Sequence, residues 1–197
     1  MGRRPNPQRK QDLLDEIVAY LGEHGIGDLS LRPLAKRLGT STYTLTYQFG
    51  SKDQLLADAV DFAQARQLGV IGQWAAESPA PSAAELLRRY WDWAGREPNL
   101  RIIRMLIEAT TLGHSQPEIF GEVGQRAVQQ WIKALSEALR RDHAPEGNVQ
   151  RIATQAYATL VGLQVDLIAT GDRPRVDKAF EELCSWIEAE AKDVVAS

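Results

Sequence analysis

Ser30-Leu-Arg-Pro-Leu-Ala-Lys-Arg-Leu-Gly-Thr-Ser-Thr-Tyr-Thr-Leu-Thr-Tyr-Gln-Phe-Gly-Ser-Lys52 reads as two short helices joined by a tight turn. Leu31, Leu34, Ala35 and Leu38 recur at helical spacing and give the first helix one apolar face. Gly39 supplies the backbone freedom that a sharp helix end needs. Ser41 or Thr42 can cap the second helix, whose inner face is Leu45 and Phe49. Thr42, Tyr43, Thr44, Thr46, Tyr47 and Gln48 are left outside, and Ala35 and Gly39 are small where two crossing helices must approach. A short helix with polar and aromatic groups outside and basic flanks suits a DNA major groove. An ordinary helical hairpin in an all-α protein has the same skeleton.

Upstream, Pro5 and Pro7 keep residues 1–7 out of a helix. In that arm Arg3 and Arg4 can lie along a narrow minor groove or simply be solvated. Residues 8–24 carry Leu13, Leu14, Ile17, Val18 and Leu21 as one helical stripe, and Gly25 ends it. Residues 26–29 form a connector. Ser30 caps the next helix, and Pro33 is tolerated in its first turn. Downstream, Ser51-Lys52-Asp53-Gln54 reads as a capping box opening a long helix to about Ala76. Lys52 then stands beside free backbone N–H groups, a good seat for a phosphate, though a plain surface lysine has the same sequence.

The remainder is helical too. Ser82-Ala-Ala-Glu85 is a second capping box and opens a helix over residues 83–96. Residues 99–112 follow, stopped by Gly113, and a single helix after Ser115 carries Ile119, Phe120, Val123, Ala127, Val128, Trp131, Leu135 and Leu139. Residues 148–170 are apolar on nearly every side, which predicts burial against both the chain's own body and a partner. Gly162 there costs about 1 kcal/mol against alanine, more easily understood if another helix passes close. The last helix shows Val176, Phe180, Leu183, Cys184, Ile187 and Ala191 as a second apolar face. The pattern predicts an all-α fold of about nine helices, without internal repeats.

A chain of 197 residues, 44% hydrophobic and 25% charged, can bury a real core in one domain or two small ones. No uninterrupted apolar run approaches the roughly 20 residues that span a bilayer, and no secretory signal leads the sequence, so a cytoplasmic protein with no membrane partner is expected. One cysteine excludes an internal disulfide framework. Net charge is −3, but residues 1–56 hold +2 and the rest −5, a basic head on an acidic body. Three scattered histidines (His24, His114, His143), one cysteine and no Gly-rich phosphate loop make no nucleophile–base or metal-ligand constellation. No enzyme, metal or cofactor is expected.

These residues resemble the tetracycline-repressor (TetR) family of bacterial one-component regulators. The resemblance is strongest over roughly residues 7–67. It rests on the stripe ending in Gly25, on Leu31-Arg32-Pro33-Leu34-Ala35, on Leu38-Gly39-Thr40-Ser41, and on Leu45, Tyr47, Phe49 and Lys52. Thr46 stands where the family commonly has tyrosine, and Gln48 where it commonly has histidine. Thr46 loses reach, while Gln48 keeps hydrogen-bonding ability.

The resemblance implies a basic arm (1–7), a helix-turn-helix head (8–51, motif Ser30 to Phe49) and a ligand-binding and dimerisation body (52–197). It implies a homodimeric repressor on a double-stranded operator, released by a small-molecule effector. Arg3, Arg4, Ser41, Tyr47 and Lys52 would hold phosphates, and Thr46 would stand among the DNA-facing residues with a shorter reach. Thr42, Tyr43, Thr44 and Gln48 would face bases. Effector candidates are Trp74, Tyr90, Trp91, Met105, Glu108, Thr110, His114, Phe120, Trp131, Tyr157 and Gln164, the aromatics among them serving equally well as plain core. Asp166 is an interface or pocket carboxylate, or one that faces water. The dimer seam would use Tyr157, Leu160, Val161, Gly162, Phe180, Leu183, Cys184 and Ile187. A helical protein-interaction module that does not bind DNA is the alternative.

Overall fold

The computed structural model describes residues 7–27 and 29–192. Ten helices make up the described chain: α1 (Pro7–His24), α2 (Leu31–Arg37), α3 (Thr42–Phe49), α4 (Lys52–Ala75), α5 (Ala83–Ala94), α6 (Glu97–Leu112), α7 (Pro117–Phe120), α8 (Val123–Arg141), α9 (Glu146–Thr170) and α10 (Arg173–Lys192). No strand occurs among the described residues. They form two compact units, one of residues up to Arg66 with Glu97–Gly124, the other of Gln67–Arg96 with residues from Gln125 onward.

In the first unit the α1 stripe is buried, with Leu13, Ile17 and Leu21 essentially inaccessible, together with Leu34, Leu45, Phe49 and Leu55. Gly25, at φ +85°, closes α1 as expected. A Cβ on Gly22 would lie 2.9 Å from the Arg101 Cβ, so the missing side chain lets α6 cross α1 closely. Of the expected caps, Ser41 Oγ accepts the Thr44 N–H at 3.1 Å. Ser30 occupies the N-cap position of α2 with extended backbone, but its side chain caps nothing. Ser51 Oγ accepts the Gln54 N–H at 3.0 Å, yet the Gln54 amide turns to Asp58 at 2.9 Å, so only half of that capping box forms.

The helix expected to run unbroken after Ser115 is two. α7 stops at Gly121, where a Cβ would stand 2.6 Å from the Pro117 carbonyl oxygen. The chain restarts as α8 with Gly124 packed against the Thr110 methyl, where a Cβ would be 2.7 Å away. Phe120 and Val123, on either side of the break, both enter the first unit's core.

In the second unit the Ser82/Glu85 box is complete, with Glu85 N donating to Ser82 Oγ at 3.2 Å and Ser82 N to Glu85 Oε2 at 2.9 Å. α10 packs its apolar face on α9 and α5. α9 buries one flank: Val149, Ile152, Ala153, Ala156, Leu160, Gln164 and Leu167. It is also the one described helix long and apolar enough to cross a membrane by length and composition. Arg151 and Asp166 on it are held in ion pairs with Glu190 and Arg175. The Arg175 guanidinium, bidentate to Asp166 at 2.6 and 2.9 Å, holds that carboxyl below the ordinary carboxylate range and fastens the α9–α10 turn. Asp166 is therefore a turn fastener on the surface.

Candidate nucleic-acid interface

The outer face of α3 follows from its inner one. With Leu45 and Phe49 buried, Tyr43 stands 77% exposed and Tyr47 42% exposed one turn further on. Their rings stack at 6.3 Å between centroids, forming one aromatic ridge. Thr42 and Thr44 flank it, half-buried. The Ser41 hydroxyl oxygen caps α3 and shares a 2.9 Å hydrogen bond with Thr44 Oγ1, so its own O–H is available to a phosphate when Thr44 donates. Thr46 is exposed, but its hydroxyl donates back to the Thr42 carbonyl at 2.8 Å. Gln48 departs from expectation: its carboxamide oxygen is buried and without a bonded partner. Presenting both amide atoms to a base requires this side chain to swing outward. Lys52, exposed on the first turn of α4, and Arg32 and Lys36, exposed on α2, supply positive charge around the ridge. Arg3 and Arg4 lie outside the described residues. Lys10 was not singled out by the sequence. Its ammonium sits 5.3 Å from the Phe49 ring centroid and pairs with Asp58, tying α1 to the end of α3 and to α4.

The second unit holds an aromatic cluster around Tyr90. The Tyr90 ring meets Trp131 edge-on at 4.6 Å and Trp93 at 5.8 Å, and Trp131 meets Tyr157 at 6.1 Å. The Tyr90 hydroxyl accepts from the Gln67 amide and, at 3.2 Å, from that of Gln164. All three residues are buried, and burial pushes the Tyr90 hydroxyl well above its ordinary range, against the smaller pull of the two glutamines. The cluster is uncharged and offers amide and hydroxyl hydrogen bonds among aromatic faces. Gln67 was missed by sequence reasoning, although a signal existed. It occupies a core position in the stripe Val60, Ala63, Gln67, Ile71 of α4, and a polar group on such a stripe needs a partner.

The model of "Bacterial regulatory proteins, tetR family" matches residues 13–59, from the α1 stripe through the exposed α3 ridge into α4. Residues 13–59 are thus similar to the TetR-type head. Among solved structures, the chain is similar to a TetR transcriptional regulator from Legionella pneumophila (17% identity, TM-score 0.73, covering 96% of this chain and 98% of that one). It is also similar to a transcriptional regulator from Rhodococcus sp. Rha1 (20%, 0.76, 90% and 95%) and to a TetR-family regulator from Cytophaga hutchinsonii (16%, 0.74, 92% and 94%). At such identity the likeness is one of fold. No curated protein matches the chain.

The residues expected to line an effector site separate between the units. Tyr90, Trp131, Tyr157 and Gln164 come together in the second, which also contains half-buried Trp74. Trp91 belongs to that unit's core instead: its ring stacks on Phe180 at 4.6 Å and its indole N–H donates to Asp177 at 2.7 Å. Met105 and Phe120 are core of the first unit, His114 is exposed, and the Thr110 hydroxyl donates to the Leu106 carbonyl at 2.9 Å. Glu108 is engaged by the α1–α2 connector.

The expected seam residues divide as well. Phe180, Leu183, Cys184, Ile187 and Leu160 are buried within their own unit, which leaves them little surface to offer a partner. Burial pushes the Cys184 thiol up to about 12, so it stays protonated. Tyr157 and Val161 are half-buried, Gly162 is exposed, and beside them Ala158 and Val165 complete an exposed stripe on α9.

Proposed function

We propose that the chain is a homodimeric transcription repressor, cytoplasmic and without enzymatic activity. It binds a pseudopalindromic operator and is released by a small, largely apolar or aromatic effector. The observation that carries this reading is the Tyr43–Tyr47 ridge on a capped helix whose inner face is buried in a TetR head. Two such helices on a dimer enter successive major grooves about 34 Å apart. Arg3, Arg4, Ser41, Tyr47 and Lys52 hold phosphates, while Thr42, Tyr43, Thr44 and a rotated Gln48 meet base edges. Gel shift with a duplex from immediately upstream of the chain's own gene tests it, and failure to shift at low salt refutes it. Lys52→Ala is expected to weaken matched and scrambled duplexes alike and to lower the salt slope by about 1. Tyr43→Ala is expected to cost about 1–3 kcal/mol on the matched duplex alone. A loss from Lys52→Ala confined to the matched duplex would contradict this division.

The effector reading is supported by the Tyr90–Trp131–Tyr157 cluster and its neutral Gln67 and Gln164 amides, suited to a planar ligand with a hydrogen-bonding group. The dimer reading is supported by Ala158, Val161, Gly162 and Val165. These are small or apolar, share one side of α9, and include a valine 46% exposed. Val165→Arg is expected to raise the dimer–monomer midpoint in sedimentation by at least about tenfold, since a charge would be buried unpaired. An unchanged midpoint removes α9 from the seam.

A further inference from the structure

We infer that Glu108 is a positioning residue for DNA binding, holding the connector that feeds the helix-turn-helix. The inference rests on the DNA-binding reading above. The connector begins at Gly25, where φ is +85° and the absent Cβ leaves room for the carboxylate; one there would stand 3.3 Å from Glu108 Oε2. The next two backbone N–H groups converge on that carboxylate. Ile26 N donates to Oε1 at 3.1 Å and Oε2 at 3.0 Å, and Gly27 N donates to Oε1 at 3.0 Å. Successive amides around an anion form a small nest, and hydrogen bonds to a charged acceptor are stronger than neutral ones. The carboxylate belongs to α6, 82 residues further along the chain from Ile26.

Glu108 does not act alone on this junction. Arg101, two turns earlier on α6, donates to Glu23 near the end of α1 at 2.8 Å, and Glu23 in turn lies 3.7 Å from Arg37 in the last turn of α2. α6 therefore grips both sides of the α1–α2 junction at points about 10 Å apart along its axis. At the first of these grips Gly22 lets the two helices touch, since a Cβ there would stand 2.9 Å from that of Arg101. The orientation of α2, and of α3 packed on it, depends on where α1 ends and how the connector leaves it. Of these contacts, the Glu108 carboxylate is the one that takes the first two connector N–H groups after Gly25.

The test pairs amide hydrogen exchange with gel shift on the upstream duplex, using the full chain. Glu108→Ala is expected to speed exchange at Ile26 and Gly27 and to raise the duplex Kd about tenfold. Protection in the α1 core (Ile17, Leu21) should be retained. Glu108→Gln keeps one acceptor oxygen and is expected to recover affinity to within about threefold of the parent chain. Fast connector exchange with unchanged affinity overturns the positioning role. Unchanged connector exchange overturns the contact itself. Protection lost across the whole first unit in both variants reduces Glu108 to a stability residue and overturns the inference. A parent chain that shifts no duplex overturns the DNA-binding reading and this role with it, whereas a parent that binds beside an equally binding alanine variant overturns this role alone.

Discussion

Phe49→Ala is expected to remove operator binding and to destabilise the first unit by about 3–5 kcal/mol. Phe49 is the last residue of α3, only 3% exposed, and belongs to the same buried cluster as Leu13, Ile17, Leu34 and Leu45. It carries the C-terminal end of a helix of eight residues. An isolated helix of that length is unstable in water, so α3 exists because its inner face is buried. Leu45 alone cannot fix both ends of it. Truncation also removes the ring beneath the Lys10 ammonium, a contact of about 0.5–1 kcal/mol where partly exposed, and leaves Lys10 with Asp58 only. The aromatic ridge on the outer face would lose its register even where the head stays folded. A urea melt followed by circular dichroism reads the stability term, and gel shift on the upstream duplex reads the function. Binding within twofold of the parent chain would show that α3 does not need this anchor. Tyr43→Ala is the control: it removes as large a ring from the outside of the same helix, where little stability is at stake.

What the sequence made readable was local. The stripe from Leu13 to Leu21, the helix-ending glycines 25 and 39, the Ser41 cap and the Ser82/Glu85 box depend on neighbours within a few residues, and each appears where spacing put it. The misplacements share a cause. Periodicity marks a helical face as covered without saying what covers it. The pattern of Phe180, Cys184 and Ile187 shows only that this face of α10 is covered; the resemblance implies a partner chain there, and within the chain α5 and α9 cover it. Glu108 reads as a polar ligand contact because its acceptor role is defined by amides 82 and 81 residues away, which no local pattern encodes. Gln48 sits on a predicted outer face, yet a long amide can turn its oxygen out of water, and here that oxygen is buried. The helix break at Gly121 was hidden because the apolar positions on either side keep step with a single helix.

Phe180→Ala separates core from seam most sharply. The side chain is 1% exposed, and its ring lies nearly parallel to Trp91 at 4.6 Å with 9° between planes. Trp91 is fixed in turn by its N–H on Asp177, which also receives Arg173 at 2.7 Å, with that guanidinium 5.7 Å from the indole. Removing the phenyl ring leaves a void between α5 and α10 that the pinned indole cannot close. The expected cost to the second unit is therefore about 3–5 kcal/mol, with the stacking contact worth about 0.5–1.5 kcal/mol of it. Because the ring is spent inside one chain, the dimer–monomer midpoint measured under native conditions should stay within about threefold of the parent. Val165→Arg should do the reverse, shifting that midpoint while leaving the urea melt of the dissociated chain nearly unchanged. Tryptophan fluorescence follows the first effect, since all five tryptophans lie in the second unit and report its unfolding together. If Phe180→Ala instead moved the sedimentation midpoint as far as Val165→Arg while the melt held, the ring would belong at the seam, and α10 would have to turn its apolar face outward in the dimer.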